Sequence, residues 1–327
     1  MQQASPYAPR FTAALFWKVL HFLQVILHIG AHRTGTSSLQ SAILKNQYNL
    51  RQNGLTFWGP RTTRGGIFSG LLRRPATFDQ DGTRDLVKRN AGAIRIEMDR
   101  LRRARQKTLL ISEENIMGTM PNNLRQTTLY PGLRRRLARF ADIFDKSCQR
   151  VAMTIRPYEN YWASAIAHTV PAGHPMPDED SINNLSYDAR GWRQVIEDVS
   201  AAFPSAEICI WEFDRFCDKT ASQFKILTRG HRNLRFRPFS ERHNTGATAA
   251  RLRQVLLDRG KVDAARKITC GAGRYVPFDA AQKNSMRQRY QADLAWLRNG
   301  ADQRAMFIQS ADDILQKPAV FAKRGGL

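Results

Sequence analysis

The chain has little cysteine and lacks the cysteine spacing of a disulfide framework or a zinc module. Its cysteines are scattered, with no C-x-x-C pair and no histidine at zinc-ligand spacing, at positions Cys148, Cys209, Cys217 and Cys270. Small disulfide-rich domains and zinc modules need closely spaced cysteines. The sequence therefore predicts no disulfide and no metal site, and it favours a cytoplasmic location.

The sequence also lacks an uninterrupted hydrophobic run long enough for a membrane span. Residues 11–27 are apolar, but Lys18, His21 and Gln24 interrupt them, and residues 25–29 are needed for the first core strand. A membrane-spanning helix takes about 20 apolar residues. We interpret residues 1–22 as a partly helical N-terminal extension. We expect no integral membrane span, and peripheral contact with a membrane stays open.

Acidic residues are few compared with basic ones. The chain has 51 lysines and arginines against 28 aspartates and glutamates, a formal net charge of +23. A nucleic-acid-binding protein uses such charge for phosphate contacts, and an enzyme uses it to draw anionic ligands into a cleft. A solvated, arginine-rich surface is the third explanation. No recognition motif is present and the arginines are spread along the chain, so we expect no specific nucleic-acid partner.

Short apolar runs rich in β-branched residues alternate with longer amphipathic segments. The runs lie at residues 25–29, 108–112, 151–156 and 208–212. The helical patterns lie at residues 36–53, 84–105, 132–146, 158–169, 189–203 and 213–229. This alternation predicts an α/β fold of three layers, with a central parallel β-sheet flanked by helices.

The remaining segments fit a single domain over residues 23–327. The C-terminal third is mainly helical, with patterns at residues 246–259 and 279–299 and a loop at residues 269–277. Residues 59–81 and 170–184 are rich in turn-forming residues and predict loops, the first of them a candidate lid. No internal repeat or linker indicates a second domain.

The most informative stretch reads V-I-L-H-I-G-A-H-R-T-G-T-S-S-L-Q over residues 25–40. An apolar strand runs into a turn that contains Gly30 and Gly35, and the turn opens a helix. Backbone N–H groups and the dipole at a helix N-terminus attract anions, and the hydroxyls of Thr36, Ser37 and Ser38 can add hydrogen bonds. We call residues 29–38 the phosphate loop.

The two glycines have the spacing of the nucleotide-binding P-loop, but the lysine of that motif is absent. Thr36 stands in its place, and the cation lies inside the turn at Arg33. A P-loop kinase or ATPase without this lysine lacks the cation that reaches the β- and γ-phosphates, and no predicted strand ends in a clear Mg²⁺-binding aspartate. A nucleotide-dependent kinase or ATPase is therefore the weaker alternative, as is a basic nucleic-acid-binding protein.

A cation inside the turn resembles the sulfotransferases that use 3′-phosphoadenosine 5′-phosphosulfate (PAPS), above all their bacterial branch, in which the stretch often reads H-I-G-x-x-K-T-G-T-T. The match covers residues 28–40. The resemblance implies a P-loop NTPase-like sulfotransferase fold, with PAPS as sulfate donor and adenosine 3′,5′-bisphosphate (PAP) as product. It also implies cofactor contacts from His32, Arg33, Thr34, Gly35, Thr36, Ser37 and Ser38.

This chain departs from the family at one position, because the family usually has lysine where this chain has Arg33. In the family that lysine neutralises charge on the oxygen between phosphate and sulfate as their bond breaks. Arginine keeps the charge, but its guanidinium is bulkier and planar. The resemblance implies a catalytic role for Arg33. A sulfotransferase-like protein that binds the cofactor without turnover is a further alternative.

A second motif resembles the 3′-phosphate site of the family, R-x-P-x-x-x-x-x-S, in which an arginine ends a strand and a serine follows on the next helix. Arg156 and Ser164 have that spacing, with Pro157 one position earlier than the proline of the family. The resemblance implies that Arg156 offers its guanidinium fork to the 3′-phosphate and that Ser164 adds a hydroxyl. An arginine that only precedes a helix N-cap is the alternative.

A third motif, L-L-I-S-E-E-N-I at residues 109–116, resembles the S-x-E-N stretch of the family. Sulfuryl transfer to a hydroxyl or amine needs a base that takes the proton of the acceptor. In many sulfotransferases a glutamate or histidine after this strand is that base, which implies Glu114 first and Glu113 second. A helix N-cap at Ser112, followed by acidic residues, is the alternative.

Weaker resemblances lie further along the chain. Residues 208–216 resemble a later strand of the family, and residues 240–245 imply that Arg242 or Asn244 approaches the cofactor. The sequence does not identify the sulfate acceptor, and glycan, lipid and small-molecule acceptors stay open. The arginine excess favours a polar or anionic acceptor such as a glycan.

Overall fold

The structure, a computed structural model of the chain, describes residues 22–73, 82–144, 146–230, 235–238, 247–268 and 273–316. The predictions made for residues 1–21, for Arg242 and for Asn244 lie outside the described residues.

Six strands of the described residues form one parallel sheet. They are β1 Gln24–His28, β2 Leu55–Trp58, β3 Thr108–Ser112, β4 Cys148–Ile155, β5 Glu207–Glu212 and β6 Met306–Ile308. Their order across the sheet is β2-β3-β1-β4-β5-β6, and every neighbouring pair is parallel. The predicted α/β fold and its four predicted strands are confirmed. The sequence patterns missed β2 and β6, which have only four and three residues.

Helices connect and cover the strands. They are α1 Thr36–Gln52, α2 Thr83–Arg103, α3 Met120–Arg125, α4 Leu133–Phe144, α5 Tyr158–Thr169, α6 Glu179–Tyr187, α7 Trp192–Ala202, α8 Thr220–Thr228, α9 Ala249–Asp258, α10 Val262–Arg266 and α11 Ala280–Arg298. Within the described residues, no helix is both long enough and apolar enough to cross a membrane.

Three predicted segments differ from the structure. Residues 170–184 were predicted as a loop, but α6 begins at Glu179, because the Asp178 side chain accepts a hydrogen bond from Ser181 N and caps the helix. The helix predicted at residues 213–229 is two pieces, a turn at Phe213–Phe216 and α8. The loop predicted at residues 59–81 contains helical turns at Pro60–Thr62 and Thr63–Ile67.

Helices cover both faces of the sheet, and alternate residues of each strand point to opposite faces. In β1, Val25 and Leu27 pack into a core with side chains of α4, α5, α7 and α11, whereas Ile26 packs into a second core with side chains of α1 and α8. This alternation is the physical basis of the three layers. The second core includes Leu39, Ile43, Leu110, Ala152, Cys209, Trp211 and Phe224.

The strand order places a switch point beside β1. The chain leaves β1 towards β2 on one side of the sheet and leaves β4 towards β5 on the other side. In open parallel sheets, ligands bind at the carboxyl ends of the strands at such a point. The phosphate loop follows β1 and Arg156 follows β4, so two predicted parts of the site meet there.

A buried ion pair joins β4 to β5 near the amino-terminal ends of these strands, away from the phosphate loop. Arg150 Nε donates to Glu207 Oε2 at 2.7 Å, and both side chains are buried. Arg150 NH1 also donates to the carbonyls of Ile226 (3.2 Å) and Leu227 (2.7 Å) at the end of α8. One guanidinium therefore ties two strands and a helix together.

We predict that Arg150→Ala lowers the free energy of unfolding by about 3–5 kcal/mol, because the buried Glu207 loses its hydrogen bonds from Arg150 and is left with the longer ion pair, 3.6 Å, to Arg229. Urea denaturation measures the effect. Arg100→Ala is the control, since Arg100 pairs with Glu97 on the surface and its loss should cost no more than about 0.5 kcal/mol. Equal effects of the two substitutions would contradict a structural role for the buried pair.

Candidate functional site

A cavity of about 900 Å³ opens at the carboxyl ends of β1 and β4. Its walls come from the phosphate loop, α5, the turn after β5, residues 273–276 and the first half of α11. Most of the predicted site residues line it, namely His32, Arg33, Gly35, Thr36, Ser37, Ser38, Glu114, Arg156 and Ser164. Thr34 and Glu113 are buried and are not among its lining residues.

A second cavity, of about 950 Å³, lies between α2, α4 and α7. Ser147 and Pro204, which precede β4 and β5, are among its lining residues, so it lies at the amino-terminal edge of the sheet. None of the predicted site residues lines it. Because ligands of parallel sheets bind at the carboxyl edge, the first cavity is the candidate functional site.

The phosphate loop needs glycine at two positions. Gly35 has φ +76° immediately before α1, and a Cβ there would lie 3.0 Å from the ring of Phe213. Gly30 has φ +37°, and a Cβ there would lie 2.7 Å from Thr36 Oγ1. Thr34 closes the turn by donating from Oγ1 to the Ala31 carbonyl at 2.6 Å. Glycine permits both the left-handed backbone and the close approach.

Thr36 does not present its hydroxyl to the cavity. Its Oγ1 is buried beside Gly30, as is Nε2 of His28, and neither atom has a hydrogen-bond partner among the described residues. His28 stacks on Trp211 with ring centroids 5.9 Å apart, and its Nδ1 lies 2.8 Å from Ser112 Oγ. Burial lowers the pKa of His28 to about 4 although Glu114 opposes this, so His28 is neutral at pH 7.

Arg33 reaches across the cavity to α5. Its Nε donates to Ser164 Oγ at 2.9 Å, and its NH1 lies 3.4 Å from Nδ1 of His168. Burial lowers the pKa of the Arg33 guanidinium, which still carries its charge at neutral pH. The sequence assigned Arg33 and Ser164 to different ends of the cofactor, and the structure joins them directly. The cavity-lining residues of α5 follow a helical repeat: Glu159, Asn160, Ala163, Ser164, Ala167 and His168.

Arg156 is held from two sides. Its NH1 donates to the Arg33 carbonyl at 2.9 Å, and its guanidinium lies over the Phe213 ring, 4.9 Å from the centroid. Its buried Nε has no hydrogen-bond partner among the described residues. Burial lowers the pKa of Arg156, Asp214 opposes this, and Arg274 and Arg33 add to the lowering. A bound anion near the guanidinium would stabilise the desolvated cation.

The two candidate bases have different surroundings. The carboxylate of Glu113 is fully buried and accepts from Thr63 Oγ1 (2.6 Å), from Arg64 NH2 (2.7 Å) and from Asn115 N (2.9 Å). Through the last bond, Glu113 rather than Ser112 caps the turn Glu114–Ile116. This placement gives Glu113 a structural role, and its role as a base stays a prediction.

Glu114 lies on the cavity wall. Its Oε1 accepts from Arg64 NH2 at 2.8 Å and its Oε2 accepts from Gln40 Nε2 at 3.1 Å. Burial acts to raise the pKa of Glu114, but His32, in its protonated form at acid pH, and Arg64 outweigh it, and the pKa is lower than usual. Glu114 is therefore ionised at neutral pH and can accept a proton from a group in the cavity. Glu114 thus faces the cavity whereas Glu113 does not, and its role as a base stays a prediction.

Several side chains of the site had no signal in the sequence. Arg64 holds both glutamates, Phe213 supports Arg156, and the cavity wall includes Arg274, Lys283 and Arg287. Phe213 lies in residues 208–216, whose weak resemblance to the family gave it no role, and the other residues come from segments that match no motif. Only the fold brings them to the cavity. His, Cys, Asp and Glu side chains of the described residues form no group of three that could hold a metal ion.

Comparison of the chain with protein-family models, with curated proteins and with solved structures found no match. The function must therefore be inferred from the geometry of the site and from the motifs.

We predict that Arg64→Gln raises the pKa of Glu114, because it removes a cation that favours the carboxylate. A ¹³C NMR titration of labelled glutamate side chains measures this shift. A lowered pKa stabilises the fold above the pKa of the unfolded chain, and this stabilisation is lost as the pH falls through the folded pKa. Arg64→Gln should thus lose more stability at pH 7 than in acid. Arg61→Gln, at an exposed position of the same segment, is the control, and identical titrations of both variants would contradict the prediction.

Proposed function

We propose that the protein is a PAPS-dependent sulfotransferase that transfers a sulfuryl group to a hydroxyl or amine of a polar or anionic acceptor, such as a glycan. The observation that carries this proposal is the convergence of Arg33, Arg156 and Ser164 on one cavity at the N-terminus of α1. A nucleotide with phosphates at both its 5′ and 3′ positions needs two anion sites in one cleft, and the proposal assigns one to the N-terminus of α1 and the other to Arg156 and Ser164.

The proposed cofactor contacts divide between two elements. The N-terminus of α1, with the hydroxyls of Ser37 and Ser38, binds the 5′-phosphosulfate end through its dipole and its N–H groups. Arg156 and Ser164 bind the 3′-phosphate, and Phe213 holds the Arg156 guanidinium in place. The Ser164 oxygen accepts from Arg33, which leaves its own proton for an anion. Ser164 can thus contact Arg33 and the 3′-phosphate together.

PAPS supplies the activated sulfuryl group, and two side chains of the chain act on the transfer. Arg33 places a positive charge next to the oxygen that becomes negative as the sulfuryl group leaves. A preorganised cation of this kind stabilises the transition state. Glu114 takes the proton of the acceptor, since it is ionised and lies on the cavity wall. A hydrogen bond to Ser164 holds the Arg33 side chain in position. Hydrogen bonds from Arg64 and Gln40 hold the Glu114 carboxylate.

The first test of this proposal is nucleotide binding. We predict that PAP stabilises the protein far more than ATP or AMP does, by roughly 2.7 kcal/mol when it is present at about 100 times its dissociation constant. Arg156→Ala should weaken PAP by about 1.5–3 kcal/mol and leave AMP binding nearly unchanged, because only PAP has the 3′-phosphate. Thermal shift and calorimetry measure both effects.

The control for this experiment is Arg215→Ala. Arg215 lies in the turn after β5, at the same carboxyl edge of the sheet as Arg156, but its side chain is half exposed and pairs with Glu212. Equal stabilisation by ATP and PAP would favour a kinase or ATPase and remove the main support for the proposal. If Arg156→Ala weakens PAP and AMP alike, Arg156 has a structural role.

The second test is turnover with a labelled sulfate donor. We predict that Arg33→Ala lowers kcat by roughly 10²–10³-fold, the scale of losing one preorganised donor, with a smaller effect on PAP affinity. Arg33→Lys should keep activity. Glu114→Gln should abolish turnover with PAP affinity intact. Full activity of Glu114→Gln would reassign the base, and full activity of Arg33→Ala would refute the role of the cation.

A further inference from the structure

Tyr130 lies between α3 and α4 in an unusual backbone conformation. Its φ is +47°, a value that bulky side chains rarely adopt, and its side chain is fully buried. Such strain persists only where the surroundings hold it, and it is frequent at functional sites. Tyr130 belongs to none of the motifs of the sequence.

The hydroxyl of Tyr130 reaches the phosphate loop. It accepts a hydrogen bond from His32 N at 3.0 Å and lies 3.1 Å from His32 Nδ1, and the two rings stack 5.8 Å apart. Tyr161 OH donates to it at 3.5 Å. Asn123 closes the network, because its Oδ1 accepts from Tyr130 N at 3.1 Å and its Nδ2 donates to Tyr161 OH at 2.9 Å. All of these side chains are buried.

The donors and acceptors of this network assign the protons of His32. The Tyr130 oxygen accepts from His32 N, and His32 Nδ1 at 3.1 Å lies nearer to it than Tyr161 OH at 3.5 Å, so the Tyr130 proton goes to His32 Nδ1. Nδ1 is then an acceptor and the ring proton lies on Nε2, which donates to Asn115 Oδ1 at 3.2 Å. Both ring nitrogens are thus engaged, which leaves His32 without a lone pair for use as a base.

The charges around His32 are compatible with a neutral ring. Burial lowers its pKa most, and Arg64 acts in the same direction. Glu114, Glu113 and the hydrogen bond to Asn115 act to raise the pKa, but the pKa remains below its usual value. The ring is therefore neutral at pH 7, and it lines the cavity close to Glu114.

We propose that Tyr130 is a positioning residue of the phosphate loop, whose hydroxyl holds the His32 main chain in place and fixes its ring as a neutral hydrogen-bond donor with the proton on Nε2. The expected effect of Tyr130 on PAP binding rests on the proposed function, whereas the assignment of the His32 tautomer does not. The neutral ring, whose Nε2 proton is donated to Asn115, lines the cavity without adding a second positive charge to that of Arg64 beside Glu114.

The test combines ¹⁵N NMR of histidine-labelled protein with PAP affinity. In the wild type, we expect His32 to show a protonated Nε2 and an unprotonated Nδ1 from pH 6 to 8, with its signals assigned by their loss in His32→Gln. Tyr130→Phe removes only the hydroxyl. It should shift the ¹⁵N resonance of the unprotonated Nδ1, because that nitrogen loses its hydrogen-bond donor, and weaken PAP roughly five- to tenfold, the value of one neutral hydrogen bond.

Two variants serve as controls. Tyr161→Phe leaves the Tyr130 hydroxyl in place and should keep both the tautomer and the Nδ1 resonance. Tyr187→Phe changes an exposed tyrosine, 48% accessible, and should change neither readout. A wild-type His32 that is protonated on Nδ1, or charged at pH 7, overturns the proposal even if Tyr130→Phe does not fold. An unchanged Nδ1 resonance together with an unchanged PAP affinity in Tyr130→Phe also overturns it. A wild type that binds no PAP refutes the proposed function, while the NMR spectrum still decides the tautomer.

Discussion

The pairing of β1 with strands on both sides is the constraint on which the site depends. β1 pairs with β3 and with β4 in parallel, so that Leu27 lies level with Ile111 on one side and with Val151 on the other. Three chain segments therefore leave the sheet at the same edge and in the same direction. The phosphate loop, the glutamates after β3 and Arg156 after β4 meet because of this register, although they are separated by about a third of the chain.

Side-chain bonds between these segments hold the site in shape without a ligand. Arg33 donates a hydrogen bond to Ser164 on α5, and Arg156 donates one to the Arg33 carbonyl. Arg64, from the helical turn after β2, forms ion pairs with both glutamates. Burial lowers the pKa values of Arg33 and Arg156, which means that desolvation disfavours their charges. An anion in the cavity would offset that cost, so the site is built to favour a negatively charged ligand.

The sequence predicted the parts of this arrangement that depend on local pattern. The apolar run of β1, the two glycines and the hydroxyls of α1 are contiguous, and their pattern predicted a phosphate loop. β2 and β6 were missed because four and three residues are too few to show a period. Arg64, Phe213 and Tyr130 were missed because their roles arise from long-range contacts. The position of the Thr36 hydroxyl, turned inward beside Gly30, also depends on packing that no motif records.

The arginine at position 33 has a physical explanation in this geometry. Its Nε is used for the bond to Ser164, while its terminal nitrogens extend further, one of them to 3.4 Å from His168 Nδ1. The charge of a lysine ammonium lies on one nitrogen. That nitrogen would have to donate both to Ser164 and to a ligand in the cavity. A guanidinium can divide these tasks, because its Nε and its terminal nitrogens donate in different directions. Under the proposed function, Arg33 is then both the link between the two halves of the nucleotide site and the cation for the leaving oxygen. The departure from the usual lysine is therefore compatible with catalysis.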